Sequence, residues 1–430
     1  MQQPVTWQYI EASIAMVQVT ARILAIVGIL TLQAYAVPVS KHSIESSSSL
    51  SFEVPTVASN SSIIAEVQLQ RLAEIARGIA LSRVTHASGQ HEKCTQQTIR
   101  VRLDWRAFTR KEKKAYINSV LCLRELPSIT PPDLAPGAKS RYDDFVVTHI
   151  NQTQIIHYTG TFLAWHRHFT WSFEQTLRDE CGYSGDFPYW NWGADVDALE
   201  KSEVFDGSDT SMSGNGAYMA NQPEVILTLP GYPDVCLPAG SGGGCVTSGP
   251  FKDWKINLGP ADLVIPGADV GTSENPLEYN PRCLRRDLTS AVLKKFNKFS
   301  DIVNLIVQNH DVWNFEMTMQ GFPETGLIGV HGGGHFSMGG DPGRDVFVSP
   351  GDPAFWHHHS MVDRVWWIWQ NLDWETRRDD ISGTGTFLNK PPTPNTTLDT
   401  LIDLGFASGE PIAMKEIMST TAGPYCYIYA

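Results

Sequence analysis

The chain has 430 residues and a formal net charge of −13 at neutral pH. That length holds a sizeable core, read here as one large domain with long loops. The acidic balance excludes nucleic acid as a partner, since binding it needs a basic patch, and leaves small molecules as the expected partners.

Arg22 precedes the apolar run Ile23–Leu32, and Ala34-Tyr35-Ala36 follows with small residues at cleavage spacing. Residues 1–36 therefore read as a secretory signal, with a mature start near Val37. The apolar run is about half of the roughly 20 residues a membrane span requires, so no membrane association is expected after cleavage. Residues 37–59 are serine-rich and read as a flexible lead-in; residues 60–430 form the expected folded domain.

From Ser62 to Arg83 the apolar positions Ile63, Ile64, Val67, Leu69, Leu72, Ile75, Ala76 and Ile79 recur at helical spacing. Alternation in Thr98–Leu103 predicts a short strand. Thr109 with Glu112 makes a capping box for a helix to about Leu126, and Ser140 with Asp143 makes another for a helix carrying His149. Thr161 is expected to cap a helix from Phe162 to Cys181, ended by Gly182. Between residues 195 and 285 the chain is rich in Gly, Ser, Pro and Asp, and long surface loops are expected. Leu288–Met319 is largely helical by pattern, and Asp352-Pro353 opens a last helix to about Leu372. The fold class is mainly α, a helical bundle with long surface loops and a few short strands.

Seven cysteines fit an oxidising compartment, and the odd number leaves at least one outside an internal pair. Cys236 and Cys245 flank a glycine-rich loop and are the expected local disulfide. Sequons at Asn60, Asn151 and Asn395 make these residues candidate glycosylation sites and agree with an extracellular, secreted protein.

Ten of the thirteen histidines fall between residues 149 and 168 or between 310 and 359. Neutral imidazole ligates transition metals without adding charge, so clustered histidines predict a metal site. His149, His157 and His166 surround one helix–turn–helix. His166 shares a face with Phe162, Phe169 and Phe173 and points inward, whereas His168 lies nearly opposite. His331 and His335 share one face if His331-Gly-Gly-Gly-His335 is helical; the glycines, poor helix formers, are expected to leave open space above a metal. Of His357, His358 and His359, His359 shares its stripe with Phe355, Asp363 and Trp366 and is the expected ligand.

Phe162-Leu-Ala-Trp-His-Arg-His-Phe169, with His157 nine residues before His166, resembles the copper-A signature of the tyrosinase and polyphenol oxidase family. Asp352-Pro-Ala-Phe-Trp followed by His-His and Val362-Asp-Arg364 is similar to its copper-B signature, and Pro188-Tyr-Trp-Asn-Trp192 resembles an aromatic segment between them. The likeness covers roughly residues 60 to 430 and is nearest to short secreted fungal catechol oxidases. It implies a central four-helix bundle holding a type-3 dicopper site in a tyrosinase-type catalytic domain. His149, His157 and His166 would then hold copper A, and His331, His335 and His359 copper B. Asp363 would orient an imidazole, the alternative being a salt bridge with a nearby arginine; Val346 would gate the copper-A side, Phe336 would stack on a substrate ring, and Gln320 would hold a water.

The same resemblance implies oxidation of o-diphenols to o-quinones, with two coppers as cofactor and O2 as co-substrate. Gly332, where strong monophenol hydroxylases often carry asparagine, argues against strong tyrosinase activity; weak hydroxylation and o-aminophenol oxidation stay open. Ile155 replaces a cysteine that relatives join to the second copper-A histidine, so no thioether is expected. Tyr425-Cys-Tyr-Ile-Tyr429 resembles the motif closing the catalytic domain, with no C-terminal lid domain expected. Haemocyanin-like oxygen binding is the alternative function, and a dizinc hydrolase a third. Proton competition for imidazole predicts activity falling as the pH drops through roughly 6.5.

Overall fold

The computed structural model describes residues 60–86, 94–229, 231–261 and 275–430. The expected signal and lead-in, residues 1–59, lie outside the described residues. Helix α1 spans Asn60–His86, but its buried face differs from the expected stripe: Ile63, Ile64, Val67 and Ile75 are exposed, and Ala65, Leu69, Ala73, Ala76 and Ala80 are buried. Alanines at three- and four-residue spacing let this helix lie close against its neighbours, which the larger isoleucines would prevent.

Strand β1 (Arg100–Asp104) follows, then α2 (Arg110–Glu125), whose capping box forms between Thr109 and Glu112. Helix α3 (Arg141–Ile156) opens on the Ser140 and Asp143 box. Helix α4 (Phe162–Cys181) ends at Gly182, whose φ of 66° suits a residue without a side chain. Thr161 does not cap α4; its hydroxyl donates to the Ile155 carbonyl at 2.8 Å and closes the turn between α3 and α4.

After β2 (Pro188–Tyr189), the region expected to be loop contains β3 (Gly216–Tyr218), β4 (Val225–Leu227), β5 (Val235–Leu237), β6 (Gly243–Val246), β7 (Lys255–Ile256) and β8 (Arg282–Cys283). Strand β3 pairs with β6, β4 with β5 and β7 with β8, all antiparallel. Strands of two to four residues are too short for alternation to show in the sequence. The expected Cys236–Cys245 bridge does not form. Cys245 on β6 joins Cys283 on β8, and Cys236, paired across β4 and β5 with Ile226, is exposed and unpaired. Further disulfides join Cys94 to Cys426 and Cys122 to Cys181.

The helical stretch Leu288–Met319 divides into α5 (Ser290–Phe296), α6 (Phe299–Gln308) and α7 (Val312–Gln320). The breaks coincide with caps: the Asp301 carboxylate accepts the Lys298 N–H at 2.9 Å, and Asp311 accepts that of Asn314 at 2.9 Å. Helix α8 (Gly329–Met338) and helix α9 (Phe355–Leu372) follow. Asp352 prepares α9 by accepting the Ala354 N–H at 2.9 Å while ion-paired with Arg286. After a short α10 (Trp374–Arg377), β9 (Leu401–Ile402) and β10 (Ile412–Ala413) pair, and β11 (Tyr427–Tyr429) lies parallel to β1, which is parallel to β2 on its other edge.

One buried carboxylate ties these elements together. Asp363 on α9 accepts Arg167 Nε of α4 at 2.6 Å, Arg102 Nη1 of β1 at 3.3 Å, and the hydroxyls of Tyr427 and Tyr429 on β11 at 2.7 Å each. Burial would raise its pKa, but Arg167 and Arg102, with the two hydroxyls, hold the carboxyl below its usual range. Removing one member of a buried pair strands its partners, at a cost of about 3–5 kcal/mol. Asp363→Ala is therefore expected to lower the unfolding free energy by about that amount, measured by denaturant titration.

Candidate metal centre

Helix α3 supplies His149 and, at its C-cap, His157; α4 supplies His166; α8 supplies His331 and His335; α9 supplies His358 and His359. Two groups of nitrogens cluster within 4.8 Å: His149, His157 and His166 in one, and His331, His335, His358 and His359 in the other. The groups face each other, the rings of His166 and His359 stacking at 4.6 Å. All are buried.

The hydrogen bonds set the proton positions. Nδ1 of His149 meets the Phe347 carbonyl at 2.8 Å, that of His157 the Thr153 carbonyl at 2.9 Å, that of His166 the Phe162 carbonyl at 2.8 Å, and that of His335 the Gly343 carbonyl at 3.0 Å. A carbonyl only accepts, so each Nδ1 carries the proton and each Nε2 keeps a free lone pair. Nε2 of His149, His166 and His331 is buried without a partner. Nε2 of His335 and His359 lie 3.1 Å apart, a separation suited to two nitrogens on one ion with bonds of about 2.0–2.1 Å. Orphaned lone pairs converging in a buried space fit transition-metal ions.

His358 is different. Its Nδ1 accepts the indole N–H of Trp192 at 3.1 Å, and indole can only donate, so the neutral ring carries its proton on Nε2. The sequence pattern left His358 off the metal in favour of His359, and the structure brings it into the cluster with the opposite tautomer. The aromatic segment ending at Trp192 was the available signal. His168 faces away, its Nδ1 2.9 Å from the Tyr425 hydroxyl.

The other expected site residues divide. Gly332, Phe336, Val346 and Gln320 line a cavity of about 460 Å³ that also reaches His157, His331 and His335. Gln320 spends its amide on the protein: Oε1 accepts the Tyr158 N–H at 2.8 Å and Nε2 donates to Glu316 at 3.1 Å. That clamp holds Tyr158 at φ 51°, a conformation L-residues rarely adopt, in the turn directly after His157. Asp363 touches no imidazole; all four of its partners are arginines or tyrosines, because they occupy the side of α9 on which it lies. It secures the helices that carry His166 and His359. Nor do the three glycines simply leave space. Gly332 lines the cavity, but a Cβ at Gly333 would meet Asn297 and Phe296, and one at Gly334 would meet the His358 ring.

The fold and site define a protein whose helical scaffold buries two facing groups of histidines that could each hold a metal ion. A sequence profile described as the common central domain of tyrosinase matches residues 139–372. Tyrosinase P of Aspergillus terreus is 43% identical over 331 residues, covering 76% of this chain and 91% of that protein. N-acetyl-6-hydroxytryptophan oxidase of Emericella nidulans is 39% identical over 360 residues, covering 80% of this chain and 96% of its own. A polyphenol oxidase variant from Thermothelomyces thermophila superposes with a TM-score of 0.80 at 40% identity, covering 85% of this chain and 98% of that one. The chain belongs to the tyrosinase family, whose members carry a type-3 dicopper centre and oxidise small phenols.

Burial corrects the expected pH dependence. It depresses His157 and His335 to about 4, against the raising influence of the Thr153 and Gly343 carbonyls, and holds His149, His166, His331 and His359 well below their usual range. Between roughly pH 6.5 and 4 the unfolded chain binds protons that the folded chain refuses, so stability falls as pH falls through that window. Metal content after dialysis should persist at about pH 5.5 and be lost towards 4, together with the loss of folded signal in circular dichroism. Gly334→Ala should cost about 1–3 kcal/mol by overpacking against His358, read as a lowered melting temperature.

Proposed function

We propose that this protein is a secreted catechol oxidase that converts o-diphenols to o-quinones with O2, using six imidazoles to hold two coppers. The observation that carries the reading is the convergence of two groups of buried, metal-competent imidazoles on one cavity with apolar walls. His149, His157 and His166 would hold copper A, and His331, His335 and His359 copper B. The tautomer of His358, fixed by Trp192, supports His359 as the third copper-B ligand. Copper, when bound, supplies the redox couple between phenol and dioxygen. The chain's own residues do the rest. Backbone carbonyls hold the Nδ1 protons of His149, His157, His166 and His335 and aim their Nε2 atoms inward, neutral imidazoles leave the site free of negative charge, and Phe336 and Val346 shape the wall against which a ring would lie.

Each catechol gives up two electrons and two protons, and dioxygen leaves as water after taking four of each. Weak monophenol hydroxylation and o-aminophenol oxidation stay within this reading; a relative bearing the name of a hydroxytryptophan oxidase supports a range wider than catechols. A cavity of about 460 Å³ beside His157, His331 and His335 supports turnover over haemocyanin-like oxygen carriage. Three disulfides and the leader-like first 36 residues support secretion, and the exposed Asn151 and Asn395 support glycosylation there, with Asn60 opening α1.

Copper-loaded protein should bind two coppers per chain and consume oxygen with catechol, with tyramine oxidised far more slowly. His166→Ala and His359→Ala should each lose copper and oxygen uptake, while His168→Ala and His358→Asn keep the copper content. Equal copper loss in all four variants would defeat the ligand assignment, and zinc in place of copper in the protein as purified would defeat the oxidase reading.

A further inference from the structure

The wall of the active-site cavity carries one formally charged side chain among the described residues, Arg344. It follows Gly343, whose carbonyl fixes His335, on a tight loop entering from α8. Arg344 is 5% exposed, yet its Nε has no hydrogen-bond partner. The surrounding carboxylates are committed elsewhere. Asp341 pairs with Arg282 and Asp352 with Arg286. Asp345 accepts the N–H groups of Ala261, Phe347 and Val348, and Asp287 those of Gly240 and Gly242. Burial pulls the Arg344 pKa down, and Asp287 and Asp341 act on it only as partial compensation.

A buried guanidinium with no carboxylate in direct hydrogen-bond contact is expensive, because the group stays charged at any physiological pH. Its planar fork matches a carboxylate two bonds at a time. Among the described residues no aspartate or glutamate lines the cavity, while Ile226, Leu227, Leu327 and Phe336 offer apolar surface for a ring. The wall is thus positive in a molecule whose net charge is −13.

We propose that Arg344 recognises a carboxylate on the substrate, making the preferred substrates aromatic o-diphenols that bear an acid group. This rests on the phenol-oxidase reading above and names the substrate class for the same cavity. Arg344 acts in specificity and orientation, holding the acid end while the diphenol end lies at the imidazoles.

Caffeate and its methyl ester share ring and size and differ in this charge. With the copper-loaded enzyme, caffeate should exceed the ester in kcat/KM by about tenfold or more, the worth of a charged hydrogen-bonded pair. Arg344→Gln should bring that ratio towards one, chiefly through KM for caffeate, and Arg344→Lys should restore part of it. A variant that merely damages the fold would lower both substrates alike, and a ratio unchanged by Arg344→Gln overturns the inference. Calorimetry on the metal-free protein gives a readout independent of turnover: benzoate should bind the native chain and bind Arg344→Gln at least about tenfold more weakly. Benzoate binding that ignores Arg344, or equal displacement of benzoate by inorganic phosphate, overturns carboxylate recognition. Arg344-dependent benzoate binding without oxidation of any catechol supports this inference and defeats the oxidase reading instead.

Discussion

Asp363 is the charge on which the arrangement of the site depends. It stands one turn beyond His359 on α9, and Arg167, its closest partner at 2.6 Å, is the residue next to His166 on α4. These two histidine-bearing helices are thereby fixed to each other through a buried ion pair, and to β1 and β11 through Arg102 and two tyrosines. Arg102 spans further to Glu174 at 2.8 Å, so the network satisfies charges of both signs. Such a network adds little net stability over an apolar core, but it permits one relative placement of its members. A centre of inward-facing imidazoles needs that restriction, because the nitrogens gain nothing from one another until a metal is present.

Much of this was legible in the chain. Capping boxes at Thr109 and Ser140 and the glycine at 182 mark helix ends through local chemistry, and those helices lie where the signals put them, while the helix after Asp352-Pro353 starts at Phe355, two residues past the proline. The histidines could be grouped because helical spacing fixes which side chains share a face, and the structure gathers those six together with His358. What failed was set by distant contacts. The alanine face of α1 is buried because of what packs on it, and Cys245 finds Cys283 because β6 and β8 approach each other across a long excursion of chain.

Two residues show the limit most clearly. The role of His358 is decided by Trp192, 166 positions away, and no local pattern states which ring nitrogen will meet a donor. Asp363 reads in sequence as a helper of an imidazole, since carboxylates commonly stand behind metal-bound histidines. Here the backbone orients the rings instead, through the carbonyls of Phe347, Thr153, Phe162 and Gly343. A carbonyl cannot be protonated or substituted away, so the orientation of these imidazoles is insensitive to side-chain change in their surroundings.

The pairing of β1 with β11 also joins distant parts of the chain. Arg102 and Tyr429, 327 positions apart, share the Asp363 carboxylate, and the Cys94–Cys426 disulfide closes beside them. A nascent chain can build every histidine-bearing helix and still lack the strand that locks them. The network that holds the histidine-bearing helices is thus completed only when residues 427–429 have joined β1, so forming those helices and locking them are separable steps of folding.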